Sequence, residues 1–184
     1  MWVALTGTPG TGKSSVATLL QKQGYSIVQL HQLAREYKCI DGTDTIRKSQ
    51  LINVDKLNSS IKKIFMTDTL VFFEGHLGHL LKAIDKVVIL RCHPKELTKR
   101  LMKKKWSSKK IKENVDAETI DILLCEAVEH HPKENIFEID TTKKTIEEVA
   151  TIINNLAKKK FQPTKKYTIG QIDWLEEILK EYPT

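Results

Sequence analysis

Cysteine is sparse. Cys39, Cys92 and Cys125 are the only thiols in 184 residues, and no two of them form a C-x-x-C pair. That argues against a disulfide or zinc framework and suits a reducing compartment. No apolar run is long enough to cross a bilayer, and no stretch reads as a secretory leader. The expectation is a soluble, cytoplasmic protein without a membrane partner. Internal repeats and low-complexity linkers are also missing, which excludes a solenoid or a tethered array. Arginine is scarce: Arg35, Arg47, Arg91 and Arg100 stand against a large excess of lysine. Phosphoryl transfer gathers cations around the moving phosphate, and arginine does this bidentately. Each arginine is therefore a stronger site candidate than any one lysine.

A hydrophobic fraction of 40% over this length suits one domain with a sizeable core. The formal net charge of +7 favours polyanions, namely nucleotide phosphates or RNA, and nothing in the chain singles out DNA. Three of the eight glycines fall in Gly7-Thr8-Pro9-Gly10-Thr11-Gly12-Lys13-Ser14, which fits the phosphate-binding pattern G-x-x-x-x-G-K-[ST]. An apolar run, Trp2 to Leu5, precedes it. Val16, Leu19 and Leu20 follow at helical spacing, and Gly24 marks a stop. Strand, glycine loop and helix thus come in the order the motif requires. Backbone N–H groups of the loop and the positive end of the helix would cradle phosphates. Lys13 would reach the β- and γ-phosphates of ATP, and the Ser14 hydroxyl would ligate Mg²⁺.

Four further strands are expected at residues 25–30, 69–74, 86–91 and 136–140, apolar on both faces and separated by helices. Helices are expected at about 31–37, 54–66, from Pro94, over 111–130 and over 145–158. A last amphipathic helix carries Ile169, Ile172, Leu175, Ile178 and Leu179. Residues 38–53 read as a polar loop with turn chemistry at Asp41-Gly42-Thr43-Asp44. The fold class is α/β: a P-loop NTPase three-layer α/β/α sandwich on a five-stranded parallel sheet. Ligands then bind at the carboxyl ends of the strands, where the P-loop, Glu74 and Arg91 fall.

Glu74 closes an apolar strand at the Walker B position. It can hold Mg²⁺ directly or through water, and a role as base stays open. His76 could orient a water or hold Glu74, whereas His79 suits capping or packing. His76 and His79 lack the third ligand that a zinc site needs. Arg35 opens the segment where a kinase takes its acceptor, Arg91 ends a strand, and Arg100 precedes the lysine-rich stretch 103–112, which contains Lys104. That stretch reads either as a lid over the triphosphate or as a basic patch for RNA. Trp106 suits both, packing under a lid or stacking on a base.

These residues resemble the adenylate kinase isoenzyme 6 family, including its archaeal members. The likeness rests on Leu5 to Ser15, on Leu33-Ala34-Arg35 with Asp41-Gly42, and on Glu74-Gly75-His76. It continues through Lys109-Lys110-Ile111, Asn114 and Glu118, to about residue 157. The family consists of small P-loop NMP kinases that also act as ATPases in small ribosomal subunit maturation. The resemblance implies an ATP:AMP phosphotransferase, with AMP or another NMP as acceptor and a small-subunit ribosomal protein and rRNA as partners. It implies a domain at 1–160, with an NMP-binding segment at about 30–53 and a lid at about 103–113, and a C-terminal extension at 161–184. Gly10, Gly12, Lys13, Ser14, Ser15 and Lys104 would hold ATP. Lys13, Glu74, His76 and Arg100 would serve the transfer, and Arg35, Asp41 and Arg91 the acceptor. Lys104 replaces an arginine common among relatives, and Glu74 replaces the commoner aspartate. The extension packs back or docks a partner.

Overall fold

The computed structural model describes residues 1–44, 49–64 and 69–181. Arg47 and the expected helix end at Phe65 and Met66 lie outside the described residues, as does the side chain of Ile178. Five parallel strands form the central sheet: β1 (Trp2–Gly7), β2 (Ser26–Gln29), β5 (Val71–Glu74), β6 (Lys86–Arg91) and β7 (Ile136–Asp140), in the order β2-β5-β1-β6-β7. β1 is central, with Leu5 level with Glu74 of β5 and Gly7 level with Leu90 of β6. The expected α/β sandwich is what the chain forms.

Strand alternation divides the core in two. Val3, Leu5, Phe72, Val88, Leu90, Phe137 and Ile139 face one side. There they pack on α1 (Lys13–Lys22) and α7 (Ile146–Lys158). Ala4, Phe73, Val87 and Ile89 face the other, beneath α2 (Leu30–Glu36), α3 (Val54–Ile64) and α6 (Ile122–His130). Both faces are buried, which is why these strands read as continuous apolar runs.

Two expectations are corrected. Residues 38–53 are not a plain loop. β3 (Ile40–Asp44) and β4 (Ser49–Ile52) form a separate antiparallel pair, with a register shift between Ile40 and Gly42. The single helix over 111–130 is two, α5 (Ser108–Thr119) and α6, broken at Asp121, whose φ is 56°. The cause lies in β6: Arg91 donates to the Glu118 carbonyl at 3.2 Å and to the Asp121 carboxylate, and so pins the chain where the helix would continue. The segment expected as a C-terminal extension from residue 161 starts inside the core. Phe161 is fully buried, with its ring 5.6 Å from Phe137 and 6.3 Å from Phe72. α4 (Pro94–Met102) and α8 (Trp174–Glu181) complete the fold. No described helix is long and apolar enough to cross a membrane.

Candidate active site at the phosphate-binding loop

β1 delivers the loop at the carboxyl edge of the sheet. Gly10 and Gly12 have φ of 101° and 102°, a region that costs little only for glycine. A Cβ on Gly10 would also lie 2.8 Å from Leu97 and 2.9 Å from Leu101 of α4. Gly12 caps α1. That helix carries no acid in its first turn and no side-chain cap, so the N–H groups opening it at Lys13, Ser14 and Ser15 aim at the loop's concavity.

Lys13 is buried, and its Nζ donates to the carbonyls of Gly7 at 2.6 Å and Thr8 at 3.1 Å. Burial pushes its pKa down to about 8. Glu74 and Glu118 act against that, and the charge on Lys104 adds to it. Lys104 is thus within electrostatic reach of Lys13. The Ser14 hydroxyl donates to Glu74 Oε1 at 3.1 Å, bringing the Walker A hydroxyl and the acid ending β5 together across 60 residues. A hydroxyl beside a carboxylate is the hard oxygen set that magnesium takes when phosphates and water supply the rest. Among the described residues no cluster of three histidine, cysteine or acidic side chains could cage a metal without such help.

His76 follows Glu74 with an exposed edge. Desolvation within the cleft, then the charge of Lys13 and of neighbouring His79 and His31, pushes its pKa down to about 4. It is therefore neutral at physiological pH. His79 is buried, 3.4 Å from Thr6 Oγ1 and 2.8 Å from Glu126 Oε2, and its carbonyl accepts from His131 at 2.7 Å. It packs, as expected.

Across the carboxyl edge, α2 carries His31 and Arg35. Both bond Gln50 Oε1 of β4, at 3.0 and 3.1 Å. Gln50 was invisible to pattern reading, because its partners lie 15 and 19 residues away across a hairpin that the sequence did not announce. Asp41 faces another way: it accepts from Asn53 and from Lys56, each at 2.6 Å, and these bonds hold its carboxyl below the usual range. It ties the hairpin to α3.

The lysine-rich stretch joins α4 to α5. Trp106 packs against Cys92, Leu97 and Leu101, and Lys104 and Lys110 lie 5.6 and 4.3 Å from its ring centre. Arg100 is hydrogen-bonded within the fold. It donates to Glu96 at 3.1 Å, to the Thr141 carbonyl at 2.9 Å and to the Thr142 carbonyl at 3.1 Å. Thr141 Oγ1 in turn lies 3.1 Å from the Thr11 carbonyl. Arg100, Gly10, Gly12, Thr141, Lys144 and Ile146 line a cavity of about 390 Å³ beside the P-loop, a size suited to a nucleoside.

Arg91 is the clearest correction. Expected at the acceptor, it is 2% exposed, and its guanidinium is spent on Glu118 (2.9 Å), Glu138 and Asp121. Burial works against its charge, but the three carboxylates outweigh it and push its pKa up. In the sequence, Glu118 stands out only through the family resemblance. It accepts from Thr8 of the P-loop, a contact that no local pattern marks.

Residues 3–121 match the family model described as AAA domain. A protein of Archaeoglobus fulgidus named "Putative adenylate kinase" is 41% identical over 97% of this chain and 94% of its own. One of Pyrococcus abyssi with the same name is 40% identical over 96% and 92%. Among solved structures, shikimate kinase from Acinetobacter baumannii has a TM-score of 0.59 at 17% identity, covering 86% of this chain and 93% of its own, a likeness of fold. The chain belongs to the adenylate kinase isoenzyme 6 family of P-loop kinases, with its archaeal members.

Proposed function

We infer that the protein transfers the γ-phosphoryl group of ATP to AMP, giving two ADP, with slow ATP hydrolysis when no acceptor is bound. One observation carries this reading. The P-loop lysine, the P-loop hydroxyl and the acid ending β5 converge at the carboxyl edge of the sheet: Lys13 Nζ donates to the Gly7 and Thr8 carbonyls, and the Ser14 hydroxyl donates to Glu74 Oε1 at 3.1 Å. The chain's own groups divide the work. The N–H groups of Gly12 to Ser15 hold the donor phosphates. Lys13 exchanges its bonds to the Gly7 and Thr8 carbonyls for phosphate oxygens, and Lys104 adds charge from the lid. Ser14 and Glu74 would hold Mg²⁺, which when bound supplies charge neutralisation on the phosphates. The cavity beside Arg100 and Ile146 takes the adenosine of ATP. Arg35 and His31, steadied by Gln50, hold the AMP phosphate. That phosphate is largely ionised at neutral pH, so its attacking oxygen needs no base. Neutral His76 is suited to orienting rather than to carrying charge.

The test is ADP formation from ATP with and without AMP, in wild type and Lys13→Ala. The expected result is a large AMP stimulation that disappears in the variant. If AMP adds no ADP beyond hydrolysis, the kinase reading fails. A panel including shikimate would separate another small-molecule P-loop kinase.

A second reading is an ATP-switched assembly factor that grips a small-subunit ribosomal protein and rRNA from the cytoplasm. The aromatic ring of Trp106 flanked by Lys104 and Lys110, on a chain of net charge +7, favours it. Pull-down with and without ATP tests it, and absence of every small-subunit component would count against it.

A further inference from the structure

We propose that Glu118 is a positioning residue of the phosphate-binding loop, and that the C-terminal segment holds it in place through Trp174. The proposal rests on the nucleotide-binding reading above and extends it to a part of the chain outside the five-stranded sheet.

The argument begins with acceptor capacity. A carboxylate offers about four lone-pair sites. Glu118 is 3% exposed and meets four donors. Oε2 accepts from the Thr8 hydroxyl. Oε1 accepts from Arg91 Nε at 2.9 Å, from the Cys92 N–H at 3.0 Å and from Trp174 Nε1 at 3.2 Å. No other water or side chain is needed, so each donor helps fix where the carboxylate sits. Thr8 is the second residue of the P-loop, and its carbonyl accepts from Lys13 Nζ. Two links therefore separate the C-terminal indole from the loop, and three separate it from the lysine.

A second route runs through α4. The Trp174 ring lies edge-on to His93, centroid to centroid 5.3 Å, and His93 caps α4 by accepting from the Lys95 N–H. α4 carries Leu97 and Leu101, the side chains pressed against Gly10. The segment is also anchored one turn earlier, where the Gly170 N–H donates to Glu138 Oε2 at 2.8 Å, a second carboxylate of the Arg91 cluster. The C-terminal segment thus grips the same buried cluster at two points, and that cluster reaches the P-loop at Thr8. A segment that merely covered apolar surface would not place an N–H on the carboxylate that holds the loop.

The test uses the full chain. Trp174→Phe keeps an aromatic ring, a smaller one, and removes the N–H. Thr8→Val keeps the shape and removes the hydroxyl. For each variant and for the double variant, MgATP binding is measured by calorimetry, and KM for ATP and for AMP by turnover. Trp174→Phe is expected to weaken MgATP binding about 3- to 10-fold, the range of one buried hydrogen bond. The AMP KM should change less than twofold. The double variant should bind no worse than Thr8→Val alone, because both act through Glu118. In wild type, MgATP should slow amide exchange over residues 170–176, and Thr8→Val should lose that slowing. Wild-type MgATP affinity in Trp174→Phe, or fully additive losses, would overturn the proposal. If Trp174→Phe does not fold, the exchange measurement decides by itself, and absence of slowing in wild type overturns it. A wild type that binds MgATP but transfers nothing to AMP sinks the phosphotransferase reading only, since the binding comparison still stands.

Discussion

The Ser14 hydroxyl and the Glu74 carboxylate lie 3.1 Å apart and are hydrogen-bonded, although one opens α1 and the other ends β5. The parallel pairing of β1 with β5 sets Leu5 level with Glu74, so the turn into the P-loop brings the helix start over the acid. The pair predicts how the enzyme meets magnesium. Glu74→Gln keeps the size and removes the charge. It should lower kcat roughly 10²-fold, equivalent to about 2.7 kcal/mol, and raise the magnesium needed for half-maximal rate. ATP binding measured in a chelator should change little, because neither group touches the phosphates directly. Ser14→Ala should move the magnesium requirement in the same direction. If both variants keep the wild-type magnesium dependence, the ion sits elsewhere.

Lys13 makes ATP binding a proton-linked event. With its pKa near 8, about half of it is neutral at pH 8 in the free protein. Phosphate oxygens favour the charged form, so ATP binding should take up about half a proton at pH 8 and more above it. Calorimetry in buffers of different ionisation enthalpy reads this directly, and the uptake should vanish in Lys13→Met. The stability sign is also fixed. The folded pKa lies below the unfolded 10.5, so the cost of burying the charge is full below about pH 8. It is relieved as pH rises from about 8 towards 10.5, and free-protein stability should gain over that window. No proton uptake at pH 8 would mean that Lys13 stays charged in the free protein.

His76 should be insensitive to pH where ordinary histidines titrate. Desolvation and the charge of Lys13 hold it near 4, so it stays neutral from about pH 5.5 upward. His76→Asn should lower kcat about 10- to 100-fold and leave the ATP KM within about threefold. Below the AMP phosphate step near 6 that both forms share, the wild type should show a further acid inflection near 4, and the variant should lack that second one. A wild-type inflection near 6.5 that His76→Asn abolishes would show a histidine that is charged in use.

Much of this was legible in the sequence, and the division has a physical basis. The five parallel strands read as apolar runs because Phe72 and Phe73, or Val87 and Val88, are buried on opposite faces. The P-loop was legible because its chemistry is local. The β3–β4 pair was not, since Asp41-Gly42-Thr43-Asp44 is turn chemistry held straight by a partner strand. Arg91 misled for the same reason. A scarce arginine at a strand end looks like a ligand, and its partners Glu118 and Glu138 come from 27 and 47 residues away. Arg100 stands between these cases: it lines the nucleoside-sized cavity, but its donors are committed to Glu96 and the loop after β7.

The Arg91 cluster should show itself in stability rather than in acceptor binding. Arg91→Met leaves Glu118, Glu138 and Asp121 without their cation, two of them almost fully buried. Stripping one partner from a buried ion pair costs about 3–5 kcal/mol. Denaturant unfolding at fixed pH reads that loss. The pH dependence has a definite sign. Burial already raises the folded pKa of Glu138 and Asp121 above the usual carboxylate values, despite Arg91 pulling them down. A carboxyl that holds its proton more tightly when folded adds stability at low pH. It loses that contribution as pH climbs through the unfolded value, about 4, towards the folded one. Removing the guanidinium raises the folded values further, so Arg91→Met should be worse at pH 8 than at pH 5, with the gap to wild type narrowing on acidification. The folded fraction should keep its AMP KM. A variant of wild-type stability whose AMP KM rises tenfold would return Arg91 to the acceptor site.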